Sequence, residues 1–522
     1  MFNNLKAKLL YKAFQMMNKR TFGANPLENP MARQKEFLLH ELKRQAETEY
    51  GRRYDFAHIE TIQAYQERVP LTKYDDYMPY YERMKQGETG LLFKDKLIAW
   101  LLTSGTTSAV KTIPFSDYME HRLSMGLTSM YLAYIDENPR ENVKCLSGKF
   151  LSIVGDPQVG SINGLPSGYV SGVALASKAR SKFAASMFTP TLDVLLEKDW
   201  YKKYWLISQQ ATRQDVSMIA GLPLFIVDYL TTLDSDHKHK LGLGDKTISE
   251  IWPNLKLMIW SGAKLAGYAT RLRNLVGDGV DFRESYGATE TGSIAFQMGS
   301  EAGMAPMLGN NFMEFTPASE WNEMEAQGGD YQNFAFTYHT FQDVEPGVDY
   351  VIVLTTVGGM YRYVIGDMVV FQRTDIPRFT WSGRIVWYSN VAMERLTFAE
   401  VQGAITALAD AIHCPISNFS YVASPEPPQY TFVIETDGAP HYQGDVSTLL
   451  DECLMKNLSY QFCRQRNGLL PLKATLVPYG TYALLERKAI QERGNSIGQF
   501  KSPRYTDMET IQLIKSLAAG RE

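Results

Sequence analysis

The hydrophobic and polar positions along this chain change period several times, and each change predicts an element. Residues 1–66 place apolar side chains at helical spacing among mixed charges, a helical lead-in. A second helical stretch, 75–86, follows Val69, Pro70 and Leu71, with Gly87 as its stop. Residues 97–102 are continuously apolar, as a buried strand would be. Helical spacing returns over 116–134, where Met119, Leu123, Leu127 and Met130 share one face. That face serves either the core or the wall of an apolar substrate pocket.

From 150 to 260, short apolar runs at 150–154 and 204–207, a helix around 219–233 and a strand at 255–260 alternate, which argues for α/β layers. The turn Ser261, Gly262, Ala263, Lys264 leads into a helix over 268–275. Residues 351–371 read as a hairpin around Gly358 and Gly359. Beyond Thr397, which can cap a helix, come strands at 419–423, 430–435 and 474–477 and a helix over 447–461. The pattern predicts an α/β fold: a large N-terminal domain of mixed β-sheets and helices at 1–383, and a small α+β C-terminal domain at 384–522.

Composition narrows the partners. With 53 Lys and Arg against 57 Asp and Glu the net charge is −4, so no global basic field recruits nucleic acid or anionic lipid, and an anionic ligand needs a local site. Four cysteines, Cys145, Cys414, Cys453 and Cys463, form no CxxC pair and are too sparse for a disulfide framework; a cytoplasmic location is the expectation. No segment approaches the ~18 apolar residues of a membrane span, so no stable membrane insertion is expected. The N-terminal stretch is basic and amphipathic; it reads as a first helix and leaves a transient membrane-surface role open.

Candidate chemistry gathers in three places. The first is TSGTTSAVKTIPF, a loop at 103–115 after the apolar strand. The hydroxyls of Ser104, Thr106, Thr107 and Ser108, backbone N–H groups released by Gly105, and the Lys111 ammonium are the donors a polyphosphate needs. The spacing is not that of a P-loop, and a polar surface turn is the plainer alternative. The second is 281–292, where a short strand meets Gly287 and Gly292 around Thr289 and Glu290. Tyr286 can offer a flat face to a base, Thr289 a hydroxyl to phosphate and Glu290 a hard oxygen to magnesium; a solvated β-turn is the alternative. The third is Gly366-Asp367, two poor strand residues inside the second hairpin strand, which predict a bend that presents the Asp367 carboxylate to a ribose diol or merely makes a turn.

The order of these motifs resembles the adenylate-forming superfamily of acyl and aryl ligases. In detail the chain is similar to the Gretchen Hagen family of auxin-responsive acyl acid amido synthetases. Its loop matches that family's SSGTS-type loop, VLTTVGGMYRYVIGD at 353–367 its TT-x-x-G-x-YRY-x-x-GD signature, and SIGQFKSPR at 496–504 its QYK-x-PR element. Tyr286 to Glu290, YGATE, is closer to general acyl ligases, and Arg395 stands where the family usually has a nucleotide-contacting lysine. The resemblance implies an AMP-forming ligase that uses ATP and Mg2+ to join a carboxylic acid to an amino acid or other amine, acting as a monomer. An acyl-CoA ligase and a catalytically silent binding homologue are the alternatives. It also implies that Arg384 and Arg395 lie against the nucleotide, that Lys501 swings in on a C-terminal domain hinged at Gly383, and that Arg122, Met125 and Thr128 line the acid pocket.

Overall fold

The computed structural model describes residues 2–22, 29–103, 111–179, 181–262, 269–299, 301–327, 330–385, 388–389, 391–392, 394, 396–465, 467–492 and 504–520. The chain separates into two compact units. One comprises Met1–Thr103 and Lys111–Trp381, the other Ser382–Glu522.

The first unit opens with helices α1 (Phe2–Phe22), α2 (Pro30–Gln45) and α3 (Tyr74–Lys85). Gly87 ends the α3 region with φ +97°, a backbone conformation glycine adopts without cost. Strand β1 (Leu97–Leu102) then pairs antiparallel with β2 (Thr112–Ser116). The sequence-predicted loop is therefore shorter than expected, because residues 112–116 form the return strand. Pro114 is tolerated there since β2 is the edge of its four-stranded sheet. Helix α4 (Asp117–Glu137) follows, capped by Ser116, whose hydroxyl accepts from the Met119 N–H at 3.1 Å.

The main sheet is built from β3 (Lys149–Ile153), β4 (Phe188–Thr189), β5 (Val216–Gly221), β6 (Leu257–Ser261), β7 (Asp281–Ala288), β8 (Gly292–Gln297), β9 (Met304–Pro306), β10 (Asn311–Pro317), β11 (Asp349–Thr356), β12 (Tyr363–Arg373) and β13 (Arg378–Arg384). Their order is β10-β11-β12-β13-β9-β8-β7-β6-β5-β3-β4. Strands β4, β3, β5, β6 and β7 are parallel neighbours, and β7-β8-β9 and β10-β11-β12 are antiparallel. The parallel half is apolar on both faces, as β6 shows with Leu257, Met258, Ile259 and Trp260 all buried. Its carboxyl edge, where open α/β sheets bind ligands, is where β7 turns into β8.

Two expectations need correction here. The helix predicted around 219–233 begins only at Pro223, because 216–221 is the buried strand β5 and proline suits the first helical turn. The run 204–207 lies inside a helix, Trp200–Ala211, its short apolar pattern being common to both element types.

In the second unit β14 (Ile416–Pro425) and β15 (Pro428–Thr436) pair antiparallel, and β16 (Lys473–Pro478) joins β15 in parallel. The single helix expected over 447–461 is two helices, Val446–Leu454 and Leu458–Gln465. Asn457 separates them, its side-chain oxygen accepting from the Tyr460 N–H at 2.7 Å.

Candidate functional site

Tyr286 on β7 and Asp367 on β12 meet: the phenol donates to the carboxylate at 2.7 Å. Their strands are brought to this position by the sheet order, not by the chain order. Asp367 is presented by a bulge. Val351 pairs with Met368 and Val353 with Val364, so Ile352 alone faces residues 365–367, and Gly366 takes φ +86° to make the extra residues fit. The Tyr286 ring also stands edge-on to Phe379, centroids 6.5 Å apart.

The β7–β8 hairpin carries Thr289 and Glu290 at its tip. A Cβ at Gly287 would lie 2.6 Å from the Gly292 carbonyl oxygen, so the close strand approach below the tip requires glycine. Gly292, at φ +65°, completes the turn. Glu290 is half-buried and within electrostatic reach of the α3 residue Tyr81, whose phenol is pushed far above its ordinary pKa by burial first and by neighbouring phenols and Glu290 after it.

Tyr81 stands edge-on to Trp100 of β1, centroids 6.4 Å apart, which brings α3 beneath the foot of the hydroxyl-rich loop. The Thr103 N–H donates to the Lys111 carbonyl at 3.0 Å and closes the base of that loop. Tyr74, one end of the same helix, receives the Thr112 N–H at 3.0 Å and donates to the Thr112 carbonyl at 3.3 Å. The Lys111 ammonium lies 4.7 Å from the Tyr74 ring centroid. Tyr77, between them, accepts the Tyr361 N–H at 2.7 Å, and Thr72 pairs with the β11–β12 connection through Thr72 N–H to Arg362 O and Val364 N–H to Thr72 O. These tyrosines were not among the sequence-predicted site residues. Their helical spacing at 74, 77 and 81 was the available signal.

Arg362, the residue before β12, has φ +48° and is buried with Glu314, Nη2 to Oε1 3.1 Å. Nη1 also donates to the Gln66 and Val69 carbonyls, both at 2.8 Å. Burial works to lower the arginine pKa, but the Glu314 carboxylate more than offsets it and the net shift is upward. The arginine is a structural clamp on the connection that leads to Asp367.

On α4, Arg122 is half-buried among the rings of Phe22, Phe37 and Tyr118, 4.8, 5.8 and 5.9 Å from its guanidinium carbon, and burial depresses its pKa. It makes no ion pair among the described residues. Met125 is packed into an apolar core with Leu10 and Phe22, and the Thr128 hydroxyl donates to the Ser124 carbonyl at 2.9 Å. The helix reaches the hairpin through Gly126, where a Cβ would press on Asn310 and Ser293, and through Leu123, which faces Gly292.

Ser104, Gly105, Thr106, Thr107, Ser108, Arg395, Lys501 and the turn at Ala263 and Lys264 lie outside the described residues. Arg384 belongs to the second unit and is exposed. In that unit Glu394 is fully buried and accepts from the Val391 N–H, the Ala392 N–H and the Tyr430 phenol at 2.9, 2.7 and 2.5 Å. Arg504 donates to Asn418 Oδ1 and the Phe419 carbonyl at 2.6 and 3.1 Å, fastening the segment after Lys501 to β14.

Residues 24–241, 304–384 and 399–510 match the models of the GH3 family N-terminal, central and C-terminal domains, in that order. The chain belongs to the GH3 family. The GH3 central-domain match contains Asp367 and Arg384, and the C-terminal match contains Lys501, whereas the β7–β8 hairpin with Tyr286 and Glu290 falls between matched stretches. Among curated relatives the chain is similar to the indole-3-acetic acid-amido synthetase GH3.10 of Arabidopsis thaliana, 23% identical across 84% of this chain and 85% of that protein. Its fold is similar to that of the GH3.15 acyl acid amido synthetase, TM-score 0.71 at 19% identity over 94% of this chain and 93% of the other. The fold is also similar to that of a 2-hydroxyisobutyryl-CoA ligase in its postadenylation state, TM-score 0.56 at 14% identity over 96% and 94%.

Proposed function

We propose that this GH3 protein is an ATP-dependent acyl acid amido synthetase. The observation that carries the reading is the Tyr286–Asp367 contact at the carboxyl edge of the sheet, joined through α3 to the foot of the hydroxyl-rich loop.

In the first step a carboxylate oxygen of the acid bonds to the α-phosphorus of ATP, the bond to the bridging oxygen breaks, and pyrophosphate leaves. In the second the amine nitrogen bonds to the activated carbonyl carbon, AMP leaves and a proton is released. Both steps depend on positioning and charge neutralisation. Ser104 to Ser108 and Lys111 would hold the phosphates, Asp367 the ribose hydroxyls, and Tyr286 and Gly287 the adenine side, with Thr289 on phosphate. Asp367 already accepts from Tyr286, and that bond holds the carboxylate in orientation.

Magnesium, when bound, neutralises phosphate charge and polarises the reacting phosphorus. Among the described residues no group of three potential ligands gathers, so Glu290 would act as a single carboxylate and leave the remaining positions to phosphate and water, the usual magnesium arrangement. Of the α4 residues, Arg122 has the charge to meet an acid carboxylate. Arg384, Arg395 and Lys501 would act from the 384–522 domain, moving against 1–383 between the two steps.

An acyl-CoA ligase shares the first step, and the YGATE form of the 286–290 turn favours keeping it as the second reading. AMP release from ATP is measured with a panel of carboxylic acids, each alone, with amino acids and amines, and with CoA. Release that needs acid and amine together, with an amide visible by mass, is the expected result. Release that needs CoA moves the protein to the ligases, and none across the panel removes the catalytic reading.

A further inference from the structure

Helix α1 has two faces, and both are apolar. The inner one places Ala7, Leu10 and Phe22 in a core cluster with Met125 and Met130 of α4, and Asn18 accepts from the Ser129 hydroxyl at 2.5 Å. The outer one exposes Leu5, Leu9 and Met16 at 60%, 61% and 61%. At one turn per 3.6 residues these three lie within about 40° of each other around the axis. Lys8, Lys12 and Lys19 border that stripe on one side, Lys6 and Arg20 on the other.

Single exposed apolar residues are normal on any surface, but an aligned stripe is not. Of the eleven large hydrophobics exposed among the described residues, four, with Met17, are on this helix, so the feature is local. Residues 2–22 contain no Asp or Glu, although the whole chain carries −4, and none of the five cations has an ion-pair partner among the described residues.

An apolar stripe flanked by cations suits the plane of anionic lipid headgroups, where the apolar groups enter the acyl boundary and the ammonium groups stay among phosphates. A second copy of the chain is a poor occupant, since two such faces would bring cations against cations. An acidic protein would answer the charges but would also need a matching apolar groove, whereas a bilayer supplies both everywhere. No helix of the described residues is long and apolar enough to cross a membrane, so the association is peripheral.

We propose that α1 docks the protein reversibly on anionic lipid surfaces with its outer face in the headgroup plane. Each cation near such a surface contributes about fivefold in partitioning, so the binding is salt-sensitive. The test is co-sedimentation of the full chain with phosphatidylcholine vesicles, with and without phosphatidylserine, at low and physiological salt. Two variants accompany it: Leu5→Ser/Leu9→Ser/Met16→Ser, and Lys8→Glu/Lys12→Glu/Lys19→Glu. These side chains face outward, and an unchanged circular dichroism melt confirms folding. The expected result is binding to phosphatidylserine vesicles that falls at least tenfold in each variant and with salt. No binding, binding equal on neutral vesicles, or binding that both variants retain would overturn the proposal, as would a stripe that instead mediates self-association by light scattering.

Discussion

Asp367 shows how much of a site can rest on one backbone irregularity. Gly366 at φ +86° lets three residues bulge opposite Ile352, and the carboxylate that results reaches Tyr286. A hydrogen bond to a charged group contributes about 1.5–3 kcal/mol. Tyr286→Phe is therefore expected to lower kcat/KM for ATP in pyrophosphate exchange by roughly ten- to hundredfold, and Asp367→Ala to abolish exchange; wild-type exchange in Asp367→Ala would remove it from the nucleotide site. The bend was legible in the sequence because Gly-Asp is out of place in a strand. Its partner was not, since nothing local relates position 286 to 367.

Glu435, in β15, makes a separate prediction at this scale. Burial raises its pKa above the ordinary carboxylate range, against hydrogen bonds from the Tyr482 N–H and the Ser417 hydroxyl that act to lower it. The folded state therefore holds a proton over a window in which the unfolded chain has lost it. Stability from this group is present below the unfolded-state pKa and declines as pH rises through the folded-state value. Denaturant melts of the unit containing β15 should show that decline, and Glu435→Gln should flatten it; an unchanged pH slope would rule the group out as its source.

Among the elements, α3 joins the parts. Its tyrosines touch the loop foot at Thr112, Trp100 of β1 and the β11–β12 connection at Tyr361. Tyr77→Phe leaves the buried Tyr361 N–H without that acceptor, at a cost of about 1–3 kcal/mol, readable by urea denaturation. Tyr74→Phe should instead raise KM for ATP while stability changes little, because the bonds it loses steady the loop. If Tyr74→Phe alters only stability, the brace has no role in nucleotide binding. Arg362 and Glu314 anchor the other end of this assembly. Removing one member of a buried ion pair typically costs 3–5 kcal/mol, about what Glu314→Ala should show.

For the whole molecule, the two units have their own cores: Trp100, Phe312 and Leu354 are in a cluster of the first, and Leu408, Phe432 and Leu450 in one of the second. Calorimetric unfolding is expected to show two transitions. Asp451→Asn, which weakens the Arg464 pair at 2.6 Å in the second unit, should move one of them alone. A single transition shifting as a whole would mean the units unfold together.

The sequence by itself determined the period of the longer elements, the loop chemistry, the bend at Gly366 and the order of motifs that matches the GH3 family. These are local or ordered along the chain, and local stereochemistry and polarity suffice to express them. Tertiary structure alone decided that 112–116 returns as a strand. It also decided that Tyr286 meets Asp367, that Tyr74 braces the foot of the loop while Tyr77 holds the β11–β12 connection, and that Met125 and Thr128 face inward while Leu5, Leu9 and Met16 face out. The reason is common to all of them: strand order and helix rotation are set by which surfaces bury together across long sequence separations, and no window of the chain contains both partners.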